Sequence, residues 1–296
     1  MLQVSHPAMT GSKNNKYKND VEGIMLMKHV HAFAALGLLA AFSGSAMADT
    51  PLLTSSASGS ASGDCKALKN EATLSFAKLK TSLGTVLSQD NGGLGFPMWL
   101  TLVDSSGTVC AVVNSLTGSE SVTTDIWLGS RNISAQKANA ANAFSTGKLA
   151  LSTANLYSAT QPGGSLFGLQ ASNPVDGSIA YGGDVKKFGT VNDPLVGKRM
   201  GGINVFGGGL ALYKGGKKIG AIGVSGDTSC TDHVVAWKVR EATGFGTVPV
   251  NGSFDKMIQD ITVNPAGGTG VSASGFGHPT CLNNPTPANA GGSIVF

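Results

Sequence analysis

The sequence predicts an α+β fold: a single domain built on one antiparallel β-sheet flanked by α-helices. Three observations predict it. Hairpin-like segments occur twice, and each is followed by a helical segment, so the order reads helix, hairpin, helices, loop, hairpin, helix. Apolar residues recur at three- and four-residue steps in the helical segments and run almost continuously in the strands. The 42 glycines, roughly double the usual share, supply tight turns and long loops.

The elements follow in chain order. Cys65 to Leu83 reads as a helix, with Leu68, Ala72, Phe76, Leu79 and Leu83 on one face. Gly84 or Gly92-Gly93 ends it. Pro97–Val103 and Thr108–Val113 flank Asp104-Ser105-Ser106-Gly107, a hairpin with turn chemistry at its tip. A helix is expected from about Thr124 to Ser145. Its alanines at 135, 138, 140, 141 and 143 let a neighbour pack closely. Ser152 to Ala159 reads as a shorter helix. Gln161 to Gly202 is a long Gly-, Asp-, Asn- and Pro-rich loop, suited to a ligand lid or an oligomer contact. The stretch Gly201–Arg240 is the clearest unit. Ile203–Phe206 reads as a short strand and Leu210–Tyr213 continues it. Gly215-Gly216 turns, and Lys218–Val224 returns. Gly223 and Gly226 allow another backbone or a flat ligand to come close. Asp227, Thr228, Ser229 and Thr231 offer cap oxygens for a helix from about Asp232 that Gly244 stops. Val248 to Phe296 has little periodicity and reads as a disulfide-pinned C-terminal tail.

The chain divides into 1–48, an upstream extension and secretory signal peptide; 49–63, a flexible leader; 64–247, the domain; and 248–296, a tail packed on it. Met27-Lys28-His29, the apolar run Ala32–Phe42 and Ala46-Met47-Ala48 have the three-part form of a signal peptide. The start is then Met25 or Met27, the mature chain begins at Asp49, and the destination is periplasmic or extracellular. Residues 1–48 hold 4 of the 21 Lys and Arg and 2 of the 17 Asp and Glu, so the mature charge is about +2. That excludes nucleic acid as an expected partner. No later segment is apolar enough to span a membrane. All four cysteines lie in the mature chain, and an even number in an exported protein implies two disulfides. Of three pairings we adopt Cys65–Cys110 and Cys230–Cys281, which tie the first helix to a strand and the tail to the second hairpin–helix unit.

Two histidines remain after processing, in Cys230-x-x-His233 and His278-x-x-Cys281. Read as a metal site, these supply two sulfur and two nitrogen ligands, as tetrahedral zinc uses. An oxidising compartment favours a disulfide between the same cysteines, which still brings His233 and His278 together as ligands for haem iron or another metal. The bland alternative is that one histidine bonds at a helix start and the other orders a turn. Covalent haem attachment, P-loop and nucleophile-elbow motifs are absent. Arg131 and Lys137 fall on the long helix, able to reach a carboxylate or to face solvent.

Several runs carry a family resemblance. They are Trp127-Leu128-Gly129-Ser130-Arg131 with Lys137-Ala138, Val205-Phe206-Gly207-Gly208-Gly209-Leu210, and Gly220-Ala221-Ile222-Gly223-Val224-Ser225-Gly226. On these the chain resembles the GlcG/HbpS-like haem-binding proteins, which also match the C-terminal domain of PduO-type proteins. The runs Asp227–His233 and Gly275–Pro279 resemble an exported proteobacterial branch. The resemblance spans about Cys65 to Cys281. It implies an antiparallel sheet flanked by helices, homo-oligomers, non-covalent haem b and, in some members, slow haem degradation.

The leading expectation is an exported protein that scavenges, stores or senses haem. An apolar slot between sheet and helix holds the porphyrin, His233 first and His278 second are the iron ligands, and Arg131 or Lys137 meets a propionate. Two alternatives predict different chemistry. A disulfide-stapled subunit that assembles into oligomers or filaments needs no cofactor. A binder of another small ligand, such as a corrinoid or organic acid, has a pocket but no Soret band. The sequence does not rank catalysis, transport and sensing.

Overall fold

A computed structural model describes residues 65, 68, 70–249, 252–262 and 270–296. The expected signal peptide and leader lie outside the described residues. Four strands form the central sheet: β1 (Trp99–Asp104), β2 (Val109–Asn114), β3 (Gly209–Lys214) and β4 (Lys217–Ser225). Their order is β2-β1-β4-β3, and every pairing is antiparallel. The two hairpins therefore join through β1 and β4, in register from Trp99↔Ser225 to Asp104↔Gly220.

Both faces of the sheet are covered. On one lie α1 (Phe76–Leu87) and α3 (Ser229–Thr243), whose Leu79, Leu83, Val86, Val235, Ala236 and Val239 pack on Leu100, Leu102, Leu212, Ile222 and Val224. On the other lies α2 (Gly129–Phe144), whose Ala135, Ala138 and Ala141 meet Trp99, Val103, Val112 and Ala221. Every residue of β1 is buried for this reason. Double coverage explains why the strands read as apolar runs rather than as alternation.

The turns use the chemistry expected of them. The Asp104 carboxylate accepts from the backbone N–H groups of Ser106 (2.9 Å) and Thr108 (3.0 Å), closing the first hairpin. Gly215 and Gly216 have φ of +55° and +73°, the pair of left-handed conformations that a two-residue hairpin turn needs.

Packing between α2 and the sheet depends on small residues. A Cβ added at Gly223 would overlap the Ser134 carbonyl oxygen and lie 2.5 Å from the Ala138 nitrogen. Both are backbone atoms of α2, so neither can rotate away. Gly223→Ala is expected to destabilise the protein by on the order of 3 kcal/mol, read from urea unfolding. A loss within experimental error would show that the helix is free to move off the sheet.

Four boundaries differ from the sequence expectation, each for a local reason. The first helix is interrupted: Cys65 and Leu68 are helical, but Ser75 is extended, and α1 starts at Phe76 and runs through Gly84. Residues before Gly129 form turns because the Asp125 carboxylate captures the Ser121 N–H at 2.7 Å. Ile203–Phe206 is not a strand, since the Asn204 side chain accepts from the Phe206 N–H at 2.9 Å and bends the chain. α3 begins at Ser229, three residues before Asp232, because the Thr228 hydroxyl caps it through the Thr231 N–H.

The long loop holds one-turn helices at Leu169–Ser172 and Gly177–Ala180 and is tied down by one residue of α2. Arg131, buried, grips both oxygens of Asp193 at 2.5 and 2.9 Å, donates to the Ala180 carbonyl at 3.2 Å and stacks 3.7 Å over the Phe188 ring. Both disulfides form as adopted, Cys65–Cys110 and Cys230–Cys281. In the tail, β5 (Met257–Ile258) pairs in parallel with β8 (Ile294–Val295), and β6 (Ile261–Thr262) pairs with β7 (Val271–Ser272). Met257, Ala290 and Ile294 pack with Cys230 and Val234 over the start of α3.

Candidate functional site

The start of α3 and the tail that covers it gather the unusual chemistry. Ser229 and His233 are four residues apart and share one helix face. His233 is fully buried, and neither of its ring nitrogens has a hydrogen-bond partner among the described residues. Gly207 seals it: a Cβ there would lie 2.6 Å from the Met257 methyl and 2.9 Å from the His233 Cβ. Burial first, then the Arg240 charge and His278, push the His233 pKa down to about 3. The Ser293 backbone offsets this in part without closing a hydrogen bond of regular geometry. His233 is therefore neutral.

His278 is also buried, but both of its nitrogens are engaged. Nδ1 lies 2.7 Å from the Pro279 carbonyl and Nε2 2.8 Å from the Ser229 hydroxyl. A carbonyl only accepts, so the hydrogen bonds assign the proton to Nδ1. Nε2 then accepts from Ser229, whose oxygen in turn accepts from the Gly207 N–H at 2.6 Å. Burial pushes the His278 pKa down to about 4, against the pull of the Pro279 carbonyl. Aromatic residues lie in the segments that build this arrangement. Tyr157 lies 5.3 Å from the His278 ring, Phe254 packs on Phe276 at 5.2 Å, and Phe276 and Phe206 are exposed. The Ser158 hydroxyl bonds the Gly277 carbonyl at 2.6 Å, which fixes the approach of the His278 segment.

The two cations expected beside a propionate are placed elsewhere. Arg131 is held by Asp193 on the α2 face of the sheet. Lys137 is fully buried, with Nζ 3.0 Å from the Val224 carbonyl and 2.6 Å from Asp232 Oδ2. The other Asp232 oxygen accepts from the Gly226 and Asp227 N–H groups at 3.1 and 2.9 Å. Burial pulls the Lys137 pKa down and pushes that of Asp232 up to about 6. A third buried pair, Arg240 with Asp255 at 2.7 Å, joins α3 to the tail.

The structure thus brings His233, His278 and the Cys230–Cys281 disulfide to one corner and commits Arg131 and Lys137 to ion pairs. Sequence reasoning missed Ser229 as the partner of His278 and the carboxylates of the three buried ion pairs, Asp193, Asp232 and Asp255. The four-residue step from Ser229 to His233 was the available signal for the first. α2 packs directly on the sheet, its backbone filling the space beside Gly209 and Gly223. Among the described residues, a cavity of about 720 Å³ lies instead between the end of α1 and the loop 88–98, over Leu87, Phe96 and Met98.

No curated protein matches this chain. Solved structures that resemble it include two. One is a crystal structure of a PduOC:heme complex, 23% identical, covering 58% of this chain and 94% of that one, with a TM-score of 0.39. The other is the Klebsiella pneumoniae protein ORFY, family model DUF336, 23% identical, covering 57% and 90%, with a TM-score of 0.36. The family model described as "Haem degrading protein HbpS-like" matches residues 81–241. That match takes in the whole four-stranded sheet with α2 and most of α3, more than half of the chain, and by it this protein belongs to the HbpS-like family.

Proposed function

We propose that this protein is an exported haem-binding protein that scavenges, stores or senses haem, with His278 as the iron ligand. Family membership supports the haem, and two disulfides suit an oxidising compartment. The observation that carries the ligand is the tautomer of His278. Metal-binding histidines characteristically donate their other ring N–H to a carbonyl or carboxylate, which orients the ring and raises its basicity. His278 already does so through Pro279, which makes Nε2 the accepting nitrogen, held by the half-buried Ser229 hydroxyl; the exposed Phe206 and Phe276 directly precede Gly207 and Gly277 in this corner. These groups fit a porphyrin edge and face. Bound haem supplies an iron centre open to a lone pair. The chain's part is to present a neutral imidazole, hold its orientation and surround it with aromatic surface.

His233 is sealed behind Gly207 and takes no iron contact in this reading. Arg131 and Lys137, committed to Asp193 and Asp232, are assigned no contact with a propionate.

Haemin titration of the purified protein tests the proposal. A saturable Soret shift at one haem per chain is expected, weakened at least about tenfold in His278→Ala and retained in His233→Ala. A saturable shift indifferent to His278→Ala would discard the ligand and keep the haem. Absence of any saturable shift would overturn the proposal and favour assembly without a cofactor, or another ligand.

A further inference from the structure

We propose that reduction of the Cys230–Cys281 disulfide converts this corner into a Cys₂His site for a thiophilic metal ion of the zinc class. The starting observation is convergence. Both sulfurs and a His278 ring nitrogen lie within 4.8 Å of one another. Two thiolates and one neutral imidazole form an N/S donor set that suits zinc, with a fourth position left for water or a further ligand.

The surroundings favour the thiolate form. Cys230 is the second residue of α3, where the unpaired N–H groups of a helix start stabilise negative charge. Its own N–H already points at the Cys281 sulfur, 3.1 Å away, and the Gln259 amide nitrogen lies 3.4 Å from the Cys230 sulfur. The two sulfurs differ in freedom. Cys230 sits fully buried on the helix, whereas Cys281 is half-buried on the tail. Two thiolates on one zinc lie roughly 3.8 Å apart, from tetrahedral geometry and a Zn–S bond of about 2.3 Å. Opening the bond to that distance falls to the tail.

The chemistry balances with a thiol-class reductant. Two external thiols transfer two electrons to the S–S bond and leave as their own disulfide. Cys230 and Cys281 become thiols, and each loses its proton when zinc binds. The site is independent of haem binding except that both use His278: in the oxidised chain its Nε2 would exchange the Ser229 hydroxyl for iron, and in the reduced chain the metal draws the ring to the sulfurs.

Zinc competition against a chromophoric chelator tests this on the full chain, before and after reduction by a phosphine. The oxidised chain is expected to bind no zinc at this site. The reduced chain should bind one Zn²⁺ that protects Cys230 and Cys281 from alkylation, mapped by mass spectrometry. His278→Ala should weaken this at least about tenfold, and Cys281→Ser should abolish it. Cys65 and Cys110 also converge, with Asp104, within 4.8 Å. Protection of that pair instead would overturn the proposal. So would equal zinc binding by the oxidised and reduced chains, indifference to His278→Ala, or a reduced chain that loses its circular dichroism and regains neither structure nor protection with zinc.

Discussion

Lys137→Met is expected to cost the fold about 3–5 kcal/mol, the range for removing one partner of a buried ion pair. The wild-type ammonium sits between the Val224 carbonyl and Asp232, so the variant leaves a carboxylate at 2% exposure with only two backbone N–H partners. Urea unfolding at neutral pH measures the loss. The pH dependence identifies its source. Asp232 titrates at about 6 in the folded chain, above its ordinary 3.8, and losing Lys137 raises it further. A group raised on folding contributes stability that is complete below its unfolded pKa and lost as pH rises through the folded one. The defect of Lys137→Met should therefore shrink on acidification toward pH 4. Adding Asp232→Leu should recover much of the loss at neutral pH, since a matched apolar pair costs less than a stranded charge. A single-variant cost below about 1 kcal/mol would mean that solvent reaches the pair.

Acidification is expected to loosen the tail from the start of α3. Both histidines titrate lower in the folded chain than their ordinary 6.5, His278 at about 4 and His233 at about 3. Between those values and 6.5 the unfolded histidines bind more protons, so their contribution is complete above pH 6.5 and falls as pH drops, while Asp232 contributes with the opposite sign. The loss by pH 4 is on the order of 3 kcal/mol for His278, with on the order of 4 kcal/mol from His233 by pH 3. With unfolding free energies taken at half-unit pH steps, His278→Gln should remove about one proton from the slope across this window. A slope unchanged in that variant would place the acid sensitivity elsewhere. Arg240 adds to the His233 shift and Lys137 to both, so the positive field at this corner opposes protonation as burial does.

Much of the fold was legible because it is local. Gly215-Gly216 has the backbone freedom its turn requires, and Asp104 carries its own turn oxygen. The alanines of α2 announced close packing, and Gly223 supplied the other half of it. Where local reading failed, a side chain had captured a backbone N–H. Asn204 bends a segment whose apolar content reads as strand, and Asp125 holds turns where the pattern reads as helix. Such bonds compete with secondary structure over two to four residues, below the window in which periodicity is measured.

The candidate site divides the same way. Residue spacing alone determined that two Cys/His pairs exist, and the even cysteine count in a chain with a signal-like start pointed to disulfides. Only the tertiary structure decided which group meets which. It sealed His233 behind Gly207, set His278 between Ser229 and Pro279, and drew Arg131 and Lys137 into pairs with carboxylates 62 and 95 residues away. A cation on a helix does not reveal whether it faces water, a ligand or an acid. That depends on which distant carboxylate the folded chain delivers, and on the cost of burying either charge alone.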